Sequence, residues 1–592
     1  MKLGGKKKPK KVGQLRQGQF LVTFGCGAIV DLPGESVILA GTDYWKNHEE
    51  DCFRLYEENL QQFLGVDYFV RPPASLNETG QPTGYGIPAF RFPNWMYCPK
   101  CKRLAPARKF GFAGKPRCEK CGVRLVPSRF VVACENGHLD DFPYEWWVHG
   151  GKCAGKRAPE LFIEMSGEKS TLDSIIIRCK SCERKCKRSM AGSFGPDALK
   201  GLKCRGNRPW LRDRDPVECD KTMRTMQRGA TNLHFAITAS ALSIPPWSHH
   251  VQIELGKVWG KLKPLVNDPK IFETVVTAWK LPQKCGCTLE DLWREAKKKL
   301  EKERSGQEKS WQDILEGEYR AFLSGCSDEK GEFKTRSVPV PDFLGDYVEQ
   351  VVLALRLREV MALRGFKRIN PDYDIDDSST FNALSREPKN WLPAMELKGE
   401  GIFIRLNNEK LGEWERRPEV IRRYQHLKEF THHSMIKGPG LTPRYVLLHT
   451  LAHLLIRQLI LKCGYSSASI KERIYSTFVA EENALVMSGI LLYTAANDSE
   501  GSLGGLAREG DPHRLDETFR QMLEAASWCS ADPLCIQSSR QGLDGLNLAA
   551  CHACTLLPET SCEARNCYLD RAALVGTLDN SSIGFFSPLL LE

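Results

Sequence analysis

No uninterrupted apolar run among these 592 residues reaches the roughly 18 to 20 needed to span a bilayer, so we expect no membrane association. A P-loop is also missing. The nearest string, Gly111-Phe-Ala-Gly114-Lys115-Pro116, has neither the spacing nor the hydroxyl that would hold Mg²⁺, which excludes nucleotide hydrolysis by that route. The zinc-protease pattern fails at one position: His449-Thr-Leu-Ala-His453 has the i, i+4 spacing, but Thr450 stands where the general base is needed. A secretion signal is absent as well. Gln14, Arg16 and Gln19 interrupt the approach to the apolar residues 20–30, and Asp31 follows at once, so we expect a cytoplasmic chain.

What the sequence does have is 23 cysteines and a net charge of +11. Eleven cysteines fall between Cys98 and Cys219 and six between Cys529 and Cys567. Paired CxxC spacing in a chain without a secretion signal points to thiolate metal sites instead of disulfides. Cys98-Pro-Lys-Cys101 and Cys118-Glu-Lys-Cys121, 16 residues apart, have zinc-ribbon spacing, in which two knuckles complete a closed, structural tetrahedron. Cys134, His138, His149 and Cys153 form a second candidate set, with Gly137 permitting the turn that aims His138 back. Cys179, Cys182, Cys204 and Cys219 form a third, where Cys186 lies close enough to replace either distant ligand. Cys535, Cys551, Cys554 and Cys562 form a fourth, with Cys529 and Cys567 as spares. Three or four structural Zn²⁺ ions are expected, and Cys285 and Cys287 are expected to be ordinary thiols.

The positive charge sits with the cysteines. Residues 98–132 carry net +9, residues 178–228 another +9 and the lysine tail +6, which leaves −13 elsewhere. Rigid, cation-rich hairpins suit a phosphate backbone. Lys102, Arg103, Arg108, Lys109, Arg184, Lys185, Lys187, Arg188, Arg205 and Arg208 are the candidate contacts, with Phe110, Phe112, Phe130 and Trp210 as interleaved aromatics. A solvated face or an acidic protein partner would explain the same charge.

Two features stay open. Residues 446–461 predict a helix apolar on most of its circumference, with His449, His453 and Arg457 as a polar stripe that either lines a site or is satisfied inside a core. The glycine turn at 497–505 follows a strand-like run and either presents amides to an anion or simply turns the chain.

The fold class expected is multidomain α+β, mixed α/β, with small zinc-ribbon-like modules inserted among helical and mixed segments. The expected order is a disordered basic tail (1–11), an α/β segment (12–90) and basic zinc modules (91–230). A mostly helical domain (231–345), a helical or mixed connector (346–440) and a C-terminal domain with a four-cysteine site (441–592) follow. Helices are predicted near 49–63 and over 346–364, a buried strand within 230–246, and helices through 254–325.

Several stretches together resemble one family. They are Phe24-Gly-Cys-Gly-Ala-Ile-Val-Asp-Leu-Pro-Gly34, Val132-Ala-Cys-Glu-Asn-Gly-His-Leu-Asp-Asp-Phe142, His449-Thr-Leu-Ala-His-Leu-Leu-Ile456, Gly464-Tyr-Ser-Ser-Ala-Ser-Ile-Lys-Glu-Arg-Ile-Tyr475, Gly501-Ser-Leu-Gly-Gly-Leu506, and Ala550-Cys-His-Ala-Cys554 with Pro558-Glu-Thr-Ser-Cys562. The set resembles the DrmB family, the helicase-associated subunits of DISARM anti-phage systems, from about residue 12 onward. The C-terminal part also resembles a zinc-binding domain found with bacterial DNA-repair helicases, whose four-cysteine signature maps onto Cys535, Cys551, Cys554 and Cys562. The resemblance implies a DrmA-type helicase and DNA as partners, with a DNA methyltransferase of the same defence system as a further candidate. It supplies no catalytic residues. A non-catalytic DNA-binding subunit that can modulate a partner's ATPase or helicase activity is therefore expected. A metal-dependent nuclease or hydrolase near His449 and His453, and a purely structural adaptor, are the alternatives.

Overall fold

The structure is a computed structural model. It describes residues 13–15, 17–74, 85–111, 116–151, 153, 158–165, 171–182, 186–213, 218–304, 309–370, 381–431, 441–466, 468–477, 485–494 and 505–590. The tail at 1–11, Phe112, Arg184, Lys185 and most of the 497–505 turn lie outside these residues.

Helices and several antiparallel sheets are mixed along the chain, which gathers into two units. One takes residues 1–53, 70–238 and 363–393; the other takes 54–69, 239–362 and 394–592. Each is thus assembled from separated segments, where the sequence suggests a serial order.

The first unit is built from short strands. A six-stranded sheet runs in the order Lys187–Ser189, Ile175–Cys179, Leu161–Met165, Arg103–Pro106, Trp95–Tyr97, Val126–Pro127. A three-stranded sheet centres on Phe130–Ala133, with Leu139–Asp141 on one side and Arg224–Gln227 on the other. Phe130, Phe142, Tyr144, Trp147, Leu161 and Ile177 form a common core. Arg368 is buried in this unit; its guanidinium donates to the carbonyls of Gly137 (3.0 Å), Gly27 (2.8 Å) and Leu233. Burial pulls its pKa down to about 9.

The second unit holds most of the two longest strands, Val348–Lys367 and Trp391–Leu406. They sit inside an eight-stranded sheet in which Trp391–Leu406 also pairs with Ser488–Thr494, and that strand with Ile470–Ser476. The helix predicted over 346–364 is therefore a strand. Its apolar residues do not alternate because both faces are covered, and a strand buried on both faces loses the period of two that distinguishes it from a helix. The helix predicted over 49–63 is reduced to Glu58–Leu64, preceded by single 3₁₀ turns and the two-residue strand Arg54–Leu55. The strand expected in 230–246 is Phe235–Leu242, and the helices expected through 254–325 include His250–Leu262, Pro269–Ala278, Leu289–Arg304 and Trp311–Ser324. Cys285 and Cys287 lie in the core of those helices.

Helix Pro443–Cys463 is the spine of the C-terminal part. Thr442 caps it by accepting from the N–H of Tyr445, Pro443 occupies its first turn, and Gly464 (φ 68°) ends it. It is long and apolar enough to cross a membrane by length and composition, yet fourteen of its residues are buried in protein. It packs on Ile470–Ser476, Ser488–Thr494 and Pro512–Ala526.

Strand alternation divides Ile470–Ser476 by chemistry. Lys471 and Arg473 turn to one side, where Lys471 pairs with Glu359 (2.9 Å) and Arg473 with Glu318 (2.6 Å), while Tyr475 also donates to Glu318 (3.0 Å). Glu472 turns to the other side, towards the long helix. Arg473 and Glu318 are both fully buried, so removing one strands the other's charge. Arg473→Met is expected to cost about 3–5 kcal/mol, read as a lower thermal unfolding midpoint. The double variant Arg473→Met, Glu318→Leu should recover most of that loss.

Candidate metal centres

The ribbon forms as the spacing predicts. Trp95–Tyr97 and Arg103–Pro106 make a hairpin whose turn is Cys98 to Lys102, closed by Cys98 N–H to Arg103 O (2.9 Å) and Lys102 N–H to Cys98 O (2.8 Å). Cys118 to Gly122 repeats the turn, with Gly122 N–H to Cys118 O at 2.8 Å. Lys102 (φ 62°) and Gly122 (φ 67°) occupy the same left-handed position after the second cysteine. Cys101 Sγ lies 3.9 Å from Cys118 Sγ. Zinc–sulfur bonds of about 2.3 Å in a tetrahedron place sulfurs about 3.8 Å apart, so the knuckles fit the ion.

The second and third expected sets exchange halves. Cys134 and His138 join Cys204 and Cys219, while His149 and Cys153 join Cys179 and Cys182. Sheet register is the cause. Ala133 pairs with both Leu139 and Arg224, and Lys203 bridges Thr222, so both strand ends deliver their cysteines to the Cys134 turn. His138 Nδ1 lies 3.5 Å from Cys134 Sγ and 3.5 Å from Cys204 Sγ, close to the roughly 3.6 Å a zinc tetrahedron requires between nitrogen and sulfur. Gly137 (φ 76°) shapes this turn and hands its carbonyl to Arg368. In the other set, His149 Nδ1 donates to Glu145 O (2.6 Å), which leaves its buried Nε2 without a hydrogen-bond partner beside the cysteines. Cys186 serves this knuckle through its main chain, its carbonyl accepting from Cys179 N–H (2.8 Å).

The C-terminal set is also corrected. Cys529 joins Cys535, Cys551 and Cys554, with sulfur separations of 3.6 Å (Cys529 to Cys551), 3.7 Å (Cys535 to Cys554) and 3.7 Å (Cys551 to Cys554). Asp532 holds the Cys529 loop by accepting from its N–H (2.7 Å) and from Arg571 (2.7 Å). Cys562 lies instead with His449, His453 and Glu472, and Cys567 is a core residue. Cysteine spacing carries no signal for Glu472. The alternation of Lys471, Glu472 and Arg473 after an i, i+4 histidine pair is the pattern that points to it.

Each all-protein group holds one sulfur poised as thiolate. Burial raises the Cys98 pKa, but the N–H groups around it, led by that of Cys101, bring it down to about 7. The Cys204 thiol brings Cys134 to about 4, the Cys186 N–H brings Cys182 to about 6, and the Cys535 thiol brings Cys554 to about 4. Thiolate is the form a metal takes.

Residues 16–235 match a domain of unknown function (DUF8724), and residues 451–555 match the MrfA Zn-binding domain. The chain is 35% identical over 587 residues to "DISARM protein DrmB" of Bacillus paralicheniformis, an alignment covering 95% of this chain and all of the relative. The chain belongs to the DrmB family. In this DrmB-family chain the MrfA Zn-binding match encloses all four of Cys529, Cys535, Cys551 and Cys554.

The described candidate phosphate contacts differ in what they touch. Lys102, Arg108, Lys109, Lys187, Arg188 and Arg205 are exposed, with Lys109 3.9 Å from Glu145. Arg103 stacks on Phe110, Arg188 on Trp147 (3.5 Å), Arg205 pairs with Asp140 (2.6 Å) and Arg208 with Asp213 (2.5 Å). Phe110, Phe130 and Trp210 are core residues, which removes them as stacking surfaces.

The exchanged pairing has a direct test in metal content. Cys134→Ser with Cys204→Ser should remove one zinc per chain by elemental analysis, because both changes strike one site. Cys134→Ser with Cys153→Ser should remove two.

Proposed function

We propose that this DrmB-family protein is a non-catalytic, zinc-stabilised DNA-binding subunit that acts with a DrmA-type helicase in DISARM antiviral defence. Four structural Zn²⁺ ions hold it, one in each of the Cys98, Cys134, Cys179 and Cys529 groups. Its thiolate sites suit a reducing cytoplasm.

The observation that carries this reading is the ribbon surface. Lys100, Lys102, Arg117, Lys120 and Arg124 are all exposed on or beside its two knuckles. A rigid hairpin presents such cations at fixed spacing, and phosphate contact needs no more than that. With Phe110, Phe130 and Trp210 in the core, the binding should be electrostatic and indifferent to base sequence. Lys102→Glu, Lys120→Glu and Arg124→Glu together should weaken DNA binding more than tenfold. They should also flatten the dependence of log K on log salt by about one unit per lost phosphate contact, read by fluorescence anisotropy. A salt-insensitive affinity, or one unmoved by these changes, would refute the reading.

The motor must be supplied from outside, since the chain has no P-loop. The C-terminal zinc knuckle and the long helix frame a groove of about 1090 Å³ lined by Arg457, Leu461, Trp528, His552 and Pro558 among others. Trp528 is 67% exposed and Leu461 77%, an apolar surface suited to a protein partner. Trp528→Ala should lower affinity for the helicase at least tenfold in calorimetry, with zinc content unchanged.

A further inference from the structure

We propose that His449, His453, Glu472 and Cys562 hold a fifth Zn²⁺, in a closed structural site that ties the long helix to the strand beside it and to the C-terminal loop. It shares no residue with the four thiolate groups, and the matched Zn-binding span of 451–555 includes His453 and Glu472 but leaves out His449 and Cys562.

The four ligand atoms lie within 4.8 Å of one another, and all four residues are buried. His449 and His453, one helical turn apart, aim at one point. His449 Nε2 lies 3.2 Å from Cys562 Sγ and 3.0 Å from Glu472 Oε1; His453 Nε2 lies 3.5 Å from the same oxygen. A tetrahedral zinc requires separations of about 3.4 Å between nitrogen and oxygen and about 3.6 Å between nitrogen and sulfur.

The hydrogen-bond pattern fits a cation between them. His453 Nδ1 faces the Thr555 carbonyl at 3.1 Å, and that contact is a hydrogen bond only if Nδ1 carries the proton. In the metal-binding tautomer Nε2 turns a lone pair towards a carboxylate oxygen that already accepts from Glu563 N–H (3.2 Å). Neither His453 Nε2 nor Glu472 Oε2 has a hydrogen-bond partner. Acceptor facing acceptor in a fully buried space is costly unless a cation sits between them. The carbonyl on Nδ1 is also the outer partner that orients a metal-bound histidine.

The donor set of two imidazoles, one carboxylate and one thiolate is borderline, which suits zinc. Three-ligand zinc sites built from two histidines and a glutamate leave the fourth position to water. Here Cys562 fills it, so the site is structural and not hydrolytic. The ligands come from the helix, from Ile470–Ser476 and from the residue that follows the turn Glu559–Ser561, three segments separated in sequence.

The test is an anomalous difference map at the zinc edge from crystals of the full chain. A peak centred among His449, His453, Glu472 and Cys562, absent below the edge, is the expected result. Peaks at the four thiolate groups and none here would overturn the proposal while leaving the four-zinc reading intact; a peak here with none there would do the reverse. A peak that persists below the zinc edge overturns the choice of metal. In solution, His453→Gln with Cys562→Ser should lower zinc from five to four per chain by native mass spectrometry. An unchanged five would refute the site, and the wild-type map decides the matter should that variant fail to fold.

Discussion

Closure of a tetrahedron by ligands from separated hairpins is the constraint on which the first unit depends. Its strands in the six-stranded sheet run from two residues (Val126–Pro127) to five (Ile175–Cys179), lengths at which an isolated hairpin is marginal in water. The ladders end where the ligands begin. Cys98 follows Trp95–Tyr97, Cys134 follows Phe130–Ala133, and Cys179 is the last residue of its own strand. Strand register sets the sulfurs in place, and the tetrahedron keeps the strand ends from fraying. A structural zinc is worth about 10–16 kcal/mol in small zinc-finger peptides, comparable to the whole stability of a typical domain. With zinc in these groups, folding of this unit and metal binding would be one equilibrium.

The second unit solves the same problem by length. Val348–Lys367 and Trp391–Leu406 span 20 and 16 residues, covered on both faces by apolar side chains. The charges inside are matched locally. Arg358 meets Glu332 (3.0 Å), Glu396 (3.2 Å) and Glu57 (3.4 Å), and burial raises Glu57 to about 7 against the pull of Arg358. Such pairs specify the packing without adding much to its stability.

What could be read from the sequence follows from how local each feature is. The ribbon was legible because both knuckles are five-residue turns whose chemistry is complete in the string. Helices through 250–324 and the long helix were legible from period and caps. The exchange of Cys134 and His138 with Cys179 and Cys182 was not, because it depends on the pairing of Lys203 with Thr222 and of Arg224 with Ala133, contacts that spacing does not encode. Cys562 was drawn to the wrong group for the same reason: Cys529 meets Cys551 in space although a long loop with the 3₁₀ turn Leu543–Gly545 stands between them. The strand misread as a helix lost its alternation to burial on both faces.

Charge on the first unit shows the same difference between string and structure. Residues 178–228 and 98–132 carry equal net charge in the sequence, but five arginines of the first segment are answered by acids. Arg178 meets Glu164, Arg205 meets Asp140, Arg208 meets Asp213, Arg224 meets Glu135 and Arg228 meets Asp31. Among the described residues of 98–132, one ion pair is formed, Lys109 with Glu145 at 3.9 Å, and Glu119 is the segment's lone acid. Screening within a Debye length of about 8 Å leaves little long-range field from a paired arginine, while clustered unpaired lysines keep theirs. A larger share of the described cations thus stays outside ion pairs in 98–132 than in 178–228.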